Sequence, residues 1–263
     1  MSKSIRGGLL TAACLVGSVL VAIPAPAQAA LGDCPPGFLN VAHRAPHTYT
    51  DENTVSAIMA AGPRSVEVEL DVRQDAQGQE WLMHDATLDR TTNGTGLMRS
   101  RSTAYIESLR TEPRGQEVPT LREGLDAAVA ADLDAVYLDL WSPNPTDAFI
   151  NDVVAEIRRA GLADRTYIVK FHARVQRLAP DILQQWKPPI DTTVEQMLKK
   201  RTESLAGPHG MMTSEVIQQL QAAGKQVLVM SVNSRTSLVN ALSKKANGVM
   251  GDTPFAHADY CGT

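Results

Sequence analysis

From Val66 to Asp85 the chain reads V-E-V-E-L-D-V-R-Q-D-A-Q-G-Q-E-W-L-M-H-D, with apolar and charged residues alternating up to Val72. Alternation at period two predicts a strand. Glu67, Glu69 and Asp71 share one parity and therefore one face of it. Three carboxylates pointing into a fold persist only where cations, metal or water compensate them, which makes this face a candidate metal or phosphate site.

The same reading predicts strands at Phe38–His43, Val66–Val72, Glu80–His84 across a Gly78 turn, Ala135–Leu140, Tyr167–Phe171, Ile182–Trp186, Gln226–Val232 and Gly248–Gly251. Helical spacing and stop signals predict helices at Asn53–Ala61 before Gly62-Pro63, Pro119–Asp132, Asp147–Ala160 before Gly161, Thr193 to about Ala206, and Ser214–Ala223. Pro180, Pro188 and Pro189 interrupt the pattern between 173 and 212, and the polar stretch Asp85–Val118 is long enough to cover a site. Strands alternating with helices imply parallel βαβ units, and eight strands close a barrel. The site of such a barrel gathers at the C-terminal strand ends. His43, Asp71, His84, Asp139, Lys170, Asn233 and Asp252 all sit at or just after a predicted strand end.

Composition adds a leader and a compartment. Lys3 and Arg6, an apolar run from Leu9 to Ile23 and the small residues Pro26–Ala30 make residues 1–30 a predicted secretory signal, with 31–263 the mature domain. Pro24 and Pro26 break the run before it is comfortably long enough to span a membrane, which argues against the alternative of a retained anchor. Cys14 is a poor lipoprotein site, with too little apolar sequence before it. Losing Lys3 and Arg6 takes the formal charge from -4 to -6, which argues against nucleic acid as a partner. Some 230 residues could still form either one barrel or two small domains. Cys34 and Cys261 then remain, one near each end. In an oxidising compartment they are expected to pair, and a closed barrel can bring its ends within bonding distance; two free thiols are the alternative.

Five motifs follow in one order: Val41-Ala-His-Arg, Asp51-Glu-Asn-Thr, Val68-Glu-Leu-Asp-Val, Met83-His-Asp-Ala-Thr-Leu-Asp-Arg-Thr-Thr-Asn-Gly-Thr-Gly and Val118-Pro-Thr-Leu-Arg-Glu-Gly-Leu. Together they resemble the glycerophosphodiester phosphodiesterase family, and weaker echoes at Val229-Met-Ser-Val-Asn and Gly248-Val-Met-Gly-Asp-Thr-Pro extend the likeness from Leu39 to Pro254. The resemblance implies a single-domain (β/α)8 barrel of the triosephosphate-isomerase type, with the phospholipase-C-like phosphodiesterase architecture. It also implies one divalent cation and hydrolysis of glycerophosphodiesters to sn-glycerol 3-phosphate and an alcohol.

Residue by residue, the resemblance makes His43 and His84 the acid–base pair, with the two roles unassigned between them. Glu69 and Asp71 match the metal-binding Glu-x-Asp, and Asp139 stands where the family has a third, glutamate, ligand. Oxygen ligands of this kind suit Mg²⁺ or Ca²⁺. Glu67, one layer deeper, is expected to be buried and paired rather than ligating. Arg44 is placed to grip phosphate. Trp141 replaces a family cation, and Lys170, one strand over, is expected to restore that charge. Trp141 is then free either to stack on a quaternary ammonium or to pack under a loop. Asn93-Gly-Thr reads as a turn rather than a glycan site, Arg99 and Arg101 as solvated, and Met211-Met212 as core.

The expectation is a secreted phosphodiesterase with a small-molecule substrate, touching a membrane only if that substrate is a lipid. Two alternatives stand beside it: a phospholipase D-like barrel acting on lysophospholipid or sphingomyelin, which Asp139 favours and the polar 87–114 stretch opposes, and a barrel that binds without catalysis.

Overall fold

The structure, a computed structural model, describes residues 34–142, 145–170 and 172–263; the predicted leader lies outside them. Among the described residues no helix is long and apolar enough to cross a membrane. The strands are β1 (Leu39–Ala42), β2 (Glu67–Gln74), β3 (Glu80–Leu82), β4 (Val136–Leu140), β5 (Thr166–Ile168), β6 (Leu183–Trp186), β7 (Ser204–Pro208), β8 (Gln226–Met230) and β9 (Gly248–Gly251). Between them run α1 (Val55–Ala61), α2 (Thr103–Glu107), α3 (Leu121–Ala130), α4 (Asp147–Arg159), α5 (His172–Leu178), α6 (Val194–Lys199), α7 (Ser214–Ala222), α8 (Arg235–Ser243) and, after the last strand, α9 (Pro254–Cys261).

Eight strands run parallel and close on themselves. β1 pairs with β9 on one side and β2 on the other, and the circuit continues through β4, β5, β6, β7 and β8. This is the expected (β/α)8 barrel, with one exchange of strands. β3 lies antiparallel to β2, outside the barrel. The turn through Gly78 that joins them is far too short for a parallel crossover, so the Glu80–His84 expectation is corrected to a hairpin arm ending at Leu82. The missing barrel strand is β7, inside the stretch expected to be the tail of a helix. That helix, α6, stops at Lys199. Ser204, Ala206, Gly207 and Pro208 carry little intrinsic strand preference, and what makes them a strand is pairing with β6 and β8.

Period-two alternation divides the barrel into two layers. Val66, Val68, Leu70 and Val72 of the second strand region, with Val136, Leu138 and Leu140 of β4, pack outward against α1, α3 and α4. Val41, Tyr137, Val169, Ala206, Leu228 and Met250 fill the interior, where the Tyr137 and Tyr167 rings stack at 4.8 Å. Glu69, Asp71 and Asp139 continue the inward parity toward the mouth. Helix starts are capped by neighbouring side chains: Thr120 and Glu123 form a reciprocal capping box on α3, and Thr146 caps α4. A disulfide joins Cys34 to Cys261, with Cα atoms 5.2 Å apart, so the two thiols expected to pair do so.

Candidate active site

Register builds the acidic cluster. Asp71 on β2 lies directly beside Asp139 on β4, and Glu69 precedes Asp71 by two residues on the same face. All three are buried, and one oxygen from each lies within 4.8 Å of the others. Burial and the nearby Glu69 charge push the Asp71 carboxyl up to about 6. Asn53 holds that residue at both ends, its amide donating to Asp71 Oδ2 at 3.0 Å and its carbonyl oxygen accepting the Asp71 backbone N–H at 3.1 Å. Only hard oxygen donors converge here, so the donor set fits a hard divalent cation, which Glu69, Asp71 and Asp139 would hold.

Three cations answer the three carboxylates. Lys187, just past β6, places Nζ 3.1 Å from Glu69 Oε1 and 3.1 Å from Asp139 Oδ2. Burial would lower its pKa, but the charges of Glu69 and Asp139 outweigh burial and hold the ammonium protonated well above the usual lysine range. Lys170 Nζ lies 2.8 Å from Asp139 Oδ1 and 2.7 Å from the centroid of the Trp141 ring. There burial prevails over Asp139, and its pKa falls below the ordinary value. Arg44 donates its backbone N–H to Glu69 Oε2 at 3.1 Å, and its Nε is 3.8 Å from Asp71 Oδ2.

The turn that carries Arg44 is strained and tied down. Arg44 and Ala45 both adopt left-handed φ values, 57° and 58°, which non-glycine residues hold only when the surroundings impose them. Here β2 does so: Ala45 N–H donates to the Glu69 carbonyl at 3.0 Å, and the Arg44 carbonyl accepts the Asn53 N–H at 2.9 Å.

Each expected histidine has one ring nitrogen fixed by a carboxylate. His43 Nδ1 lies 2.8 Å from Asp252 Oδ1, and Asn233 braces that aspartate through a side-chain N–H at 2.7 Å and a backbone contact at 2.7 Å. Gly251 makes this possible, because a β-carbon there would lie 2.6 Å from Asn233 Oδ1 and overlap the Val232 carbonyl. Burial lowers the His43 pKa, but the Asp252 hydrogen bond and the Glu69 charge outweigh it, and the net shift is upward. His84 Nδ1 lies 2.6 Å from Asp85 Oδ1. Arg90 grips Asp85 at 2.6 Å and Glu52 at 2.7 and 2.8 Å, and Glu52 accepts from Arg44 at 3.3 Å. One chain of polar contacts thus runs from His84 through Asp85, Arg90 and Glu52 to Arg44.

Trp141 closes the near side. Its indole N–H donates to Asp71 Oδ1 at 2.9 Å, and its ring meets His84 edge-on at 5.7 Å. Arg73 pins the His84 carbonyl through Nε at 2.7 Å and lies 5.2 Å from the Trp141 ring centroid. Beside them is a cleft of about 450 Å³ lined by Arg73, Met98, Arg99 and Trp141.

His43, Arg44, Glu69, Asp71, His84, Asp139, Trp141 and Lys170 are therefore brought together. Lys187, Asn53, Arg73 and Asp252's bracing role escaped sequence reasoning. Lys187 directly follows a predicted strand, the same signal that marked the other residues, but it sits in the proline-interrupted stretch. Glu67 is buried away from the cluster and accepts the Ala135 N–H at 2.6 Å; burial raises its carboxyl to about 7. Arg101 is not simply solvated: it donates to the Thr95 carbonyl at 2.7 and 3.0 Å. Asn93 braces its turn by accepting the Arg110 N–H at 2.9 Å, and Met212 is core.

Comparison with known proteins agrees with this geometry. A glycerophosphodiester phosphodiesterase of Bacillus subtilis (strain 168) is 24% identical over 251 residues, covering 84% of this chain and 85% of that protein. Glycerophosphodiester phosphodiesterase 1 of Bos taurus is 39% identical over 94 residues, 32% of this chain and 28% of that one. Among solved structures, a glycerophosphodiester phosphodiesterase from Agrobacterium tumefaciens superposes with a TM-score of 0.74 at 23% identity, over 86% of this chain and 100% of that one. An Oleispira antarctica phosphodiesterase in complex with the product sn-glycerol-3-phosphate gives 0.74 at 22% identity, over 85% and 96%. At these identities the structural likeness is one of fold. The model of the glycerophosphoryl diester phosphodiesterase family matches residues 43–255, most of the chain, and on that match the protein belongs to this family and is a phosphoric diester hydrolase.

Proposed function

We propose that the protein is a secreted, divalent-metal-dependent glycerophosphodiesterase that releases sn-glycerol 3-phosphate and an alcohol. The observation that carries this reading is the pair of imidazoles beside one acidic cluster, each with Nδ1 held by a carboxylate and Nε2 left to exchange protons. One histidine takes the proton of the attacking oxygen as it bonds to phosphorus. The other delivers a proton to the alcohol oxygen as its P–O bond breaks.

A Mg²⁺ or Ca²⁺ ion bound by Glu69, Asp71 and Asp139 would supply Lewis-acid stabilisation of the phosphoryl oxygens. Three carboxylates, a divalent ion and a phosphodiester carry a net negative charge, and Arg44 and Lys170 are cations at hand to offset it. Lys170 thereby takes the place of the cation that Trp141 displaced. Trp141 already carries the Lys170 ammonium against its ring, which favours a role in holding Asp71 over one in binding choline. The Bacillus subtilis relative bears the name of this activity, and the Oleispira antarctica neighbour is described with its product. Both support the assignment. The substrate is a small molecule, with no part for nucleic acid.

A second reading, a phospholipase D-like action on lysophospholipid, draws on Asp139 and on two exposed apolar residues in loops that leave β1 and β6, Tyr49 at 75% and Ile190 at 85% exposure. Side-by-side incubation with glycerophosphocholine and lysophosphatidylcholine, with and without chelator, separates the readings. Glycerol 3-phosphate from the first substrate alone supports the proposal. Turnover of the lipid alone supports the second reading, and turnover of neither leaves a binding barrel.

A further inference from the structure

Lys187 is a cation that the proposed chemistry does not require where it stands. It lies 118 residues from Glu69 and 48 from Asp139 in sequence, yet its ammonium touches one oxygen of each at 3.1 Å. Its side chain is 24% exposed, while those of Glu69 and Asp139 are 1% and 5% exposed. Lys170 does not duplicate it, because that ammonium reaches Asp139 alone and rests on the Trp141 ring. The prolines at 188 and 189 follow immediately, fixing the backbone from which the lysine reaches.

We propose that Lys187 is an internal counter-cation of the acidic cluster: its ammonium holds Glu69 and Asp139 together in the metal-free barrel and competes with the divalent ion for them, setting the ion's affinity. The inference rests on the metal reading of the cluster given above. Buried carboxylates without a compensating charge are strongly destabilising, so a metal-free barrel needs a cation at this point, and Lys187 is in contact with two of the three groups. The same placement opposes an incoming ion. Oxygens engaged by an ammonium are less available as ligands, and two cations sharing the same acceptors repel one another. The protein would thus fold before meeting metal, at the cost of weaker metal binding.

The experiment is calorimetric titration of Ca²⁺ and of Mg²⁺ into chelator-treated wild type and Lys187→Met, with unfolding temperatures measured with and without ion. The expected result is binding about tenfold or more tighter in the variant, together with a lower metal-free unfolding temperature and a larger rise on adding ion. Equal or weaker binding by the variant overturns the role of Lys187 while leaving the metal site standing. Absence of binding to either protein overturns both. Should the variant fail to fold without ion, nitrogen-labelled lysine in the wild type decides. One ammonium signal protected from exchange in the chelated protein should lose its protection when ion is added, and a signal unchanged by saturating ion overturns the proposal.

Discussion

The Trp141 indole N–H donates a 2.9 Å hydrogen bond to Asp71 Oδ1. With the Asn53 amide on Oδ2, both carboxylate oxygens are held by neutral donors, which fixes the orientation of a central acid without adding charge. A tryptophan standing where relatives are expected to have a cation therefore has a structural task. Hydrogen bonds to charged groups contribute about 1.5–3 kcal/mol, so Trp141→Phe is expected to lower kcat/KM by about tenfold or more. The loss should be equal on glycerophosphocholine and glycerophosphoglycerol. A loss confined to the choline substrate, in parallel steady-state assays, would restore the ring to head-group recognition.

The two histidines should fail together and their partners more gently. Replacing His43 or His84 by alanine is expected to lower kcat by about 10² to 10⁴-fold. Asp252→Asn should cost less, because it leaves a hydrogen-bonding partner for His43 but removes the charge that His43 holds down to a pKa of about 2. Its signature is a pH–rate profile displaced toward lower pH, since the native aspartate favours the protonated imidazole.

Legibility in the sequence followed the range of the interactions. Alternation at Val66–Val72 and Ala135–Leu140 reports burial on two faces of one strand, a local property, and it gave the inward acids with their correct neighbours. β7 escaped because Ser204–Pro208 is a strand only by virtue of β6 and β8 on either side. β3 reads like a barrel strand because an apolar run looks alike in a parallel strand and in a hairpin arm, and only the brevity of the Gly78 turn distinguishes them. Lys187 stands directly after a predicted strand, but the contacts that give it a role reach across the barrel to Glu69 and Asp139, and the prolines around it obscure the local pattern.

Away from the mouth, His257 makes stability depend on pH. It is 2% exposed, with Asn40 Oδ1 and Thr253 Oγ1 each 3.3 Å from a ring nitrogen, and burial lowers its pKa from 6.5 to about 4. Between those values the unfolded chain binds a proton that the folded chain refuses. The contribution is fully present above about pH 6.5 and is lost as pH falls toward 4, on the order of 3 kcal/mol in all. Urea unfolding midpoints should fall across that window in the wild type, and by less in His257→Gln.

The Cys34–Cys261 disulfide closes a loop with a sequence separation of 227 residues. Cross-links over so long a loop restrict the unfolded chain most, and Cys34→Ser is expected to cost about 3–5 kcal/mol. The check is the denaturation midpoint of the variant beside that of reduced wild type. Matching losses are expected, and an unchanged midpoint in both would show that the ends are held by packing alone.

The most direct test of the account follows the phosphorus of glycerophosphocholine by NMR during turnover. The account predicts that the resonance of sn-glycerol 3-phosphate grows in, stops growing when chelator is added and resumes when Mg²⁺ or Ca²⁺ is restored. Phosphocholine as the product, or a rate indifferent to chelation, would contradict it.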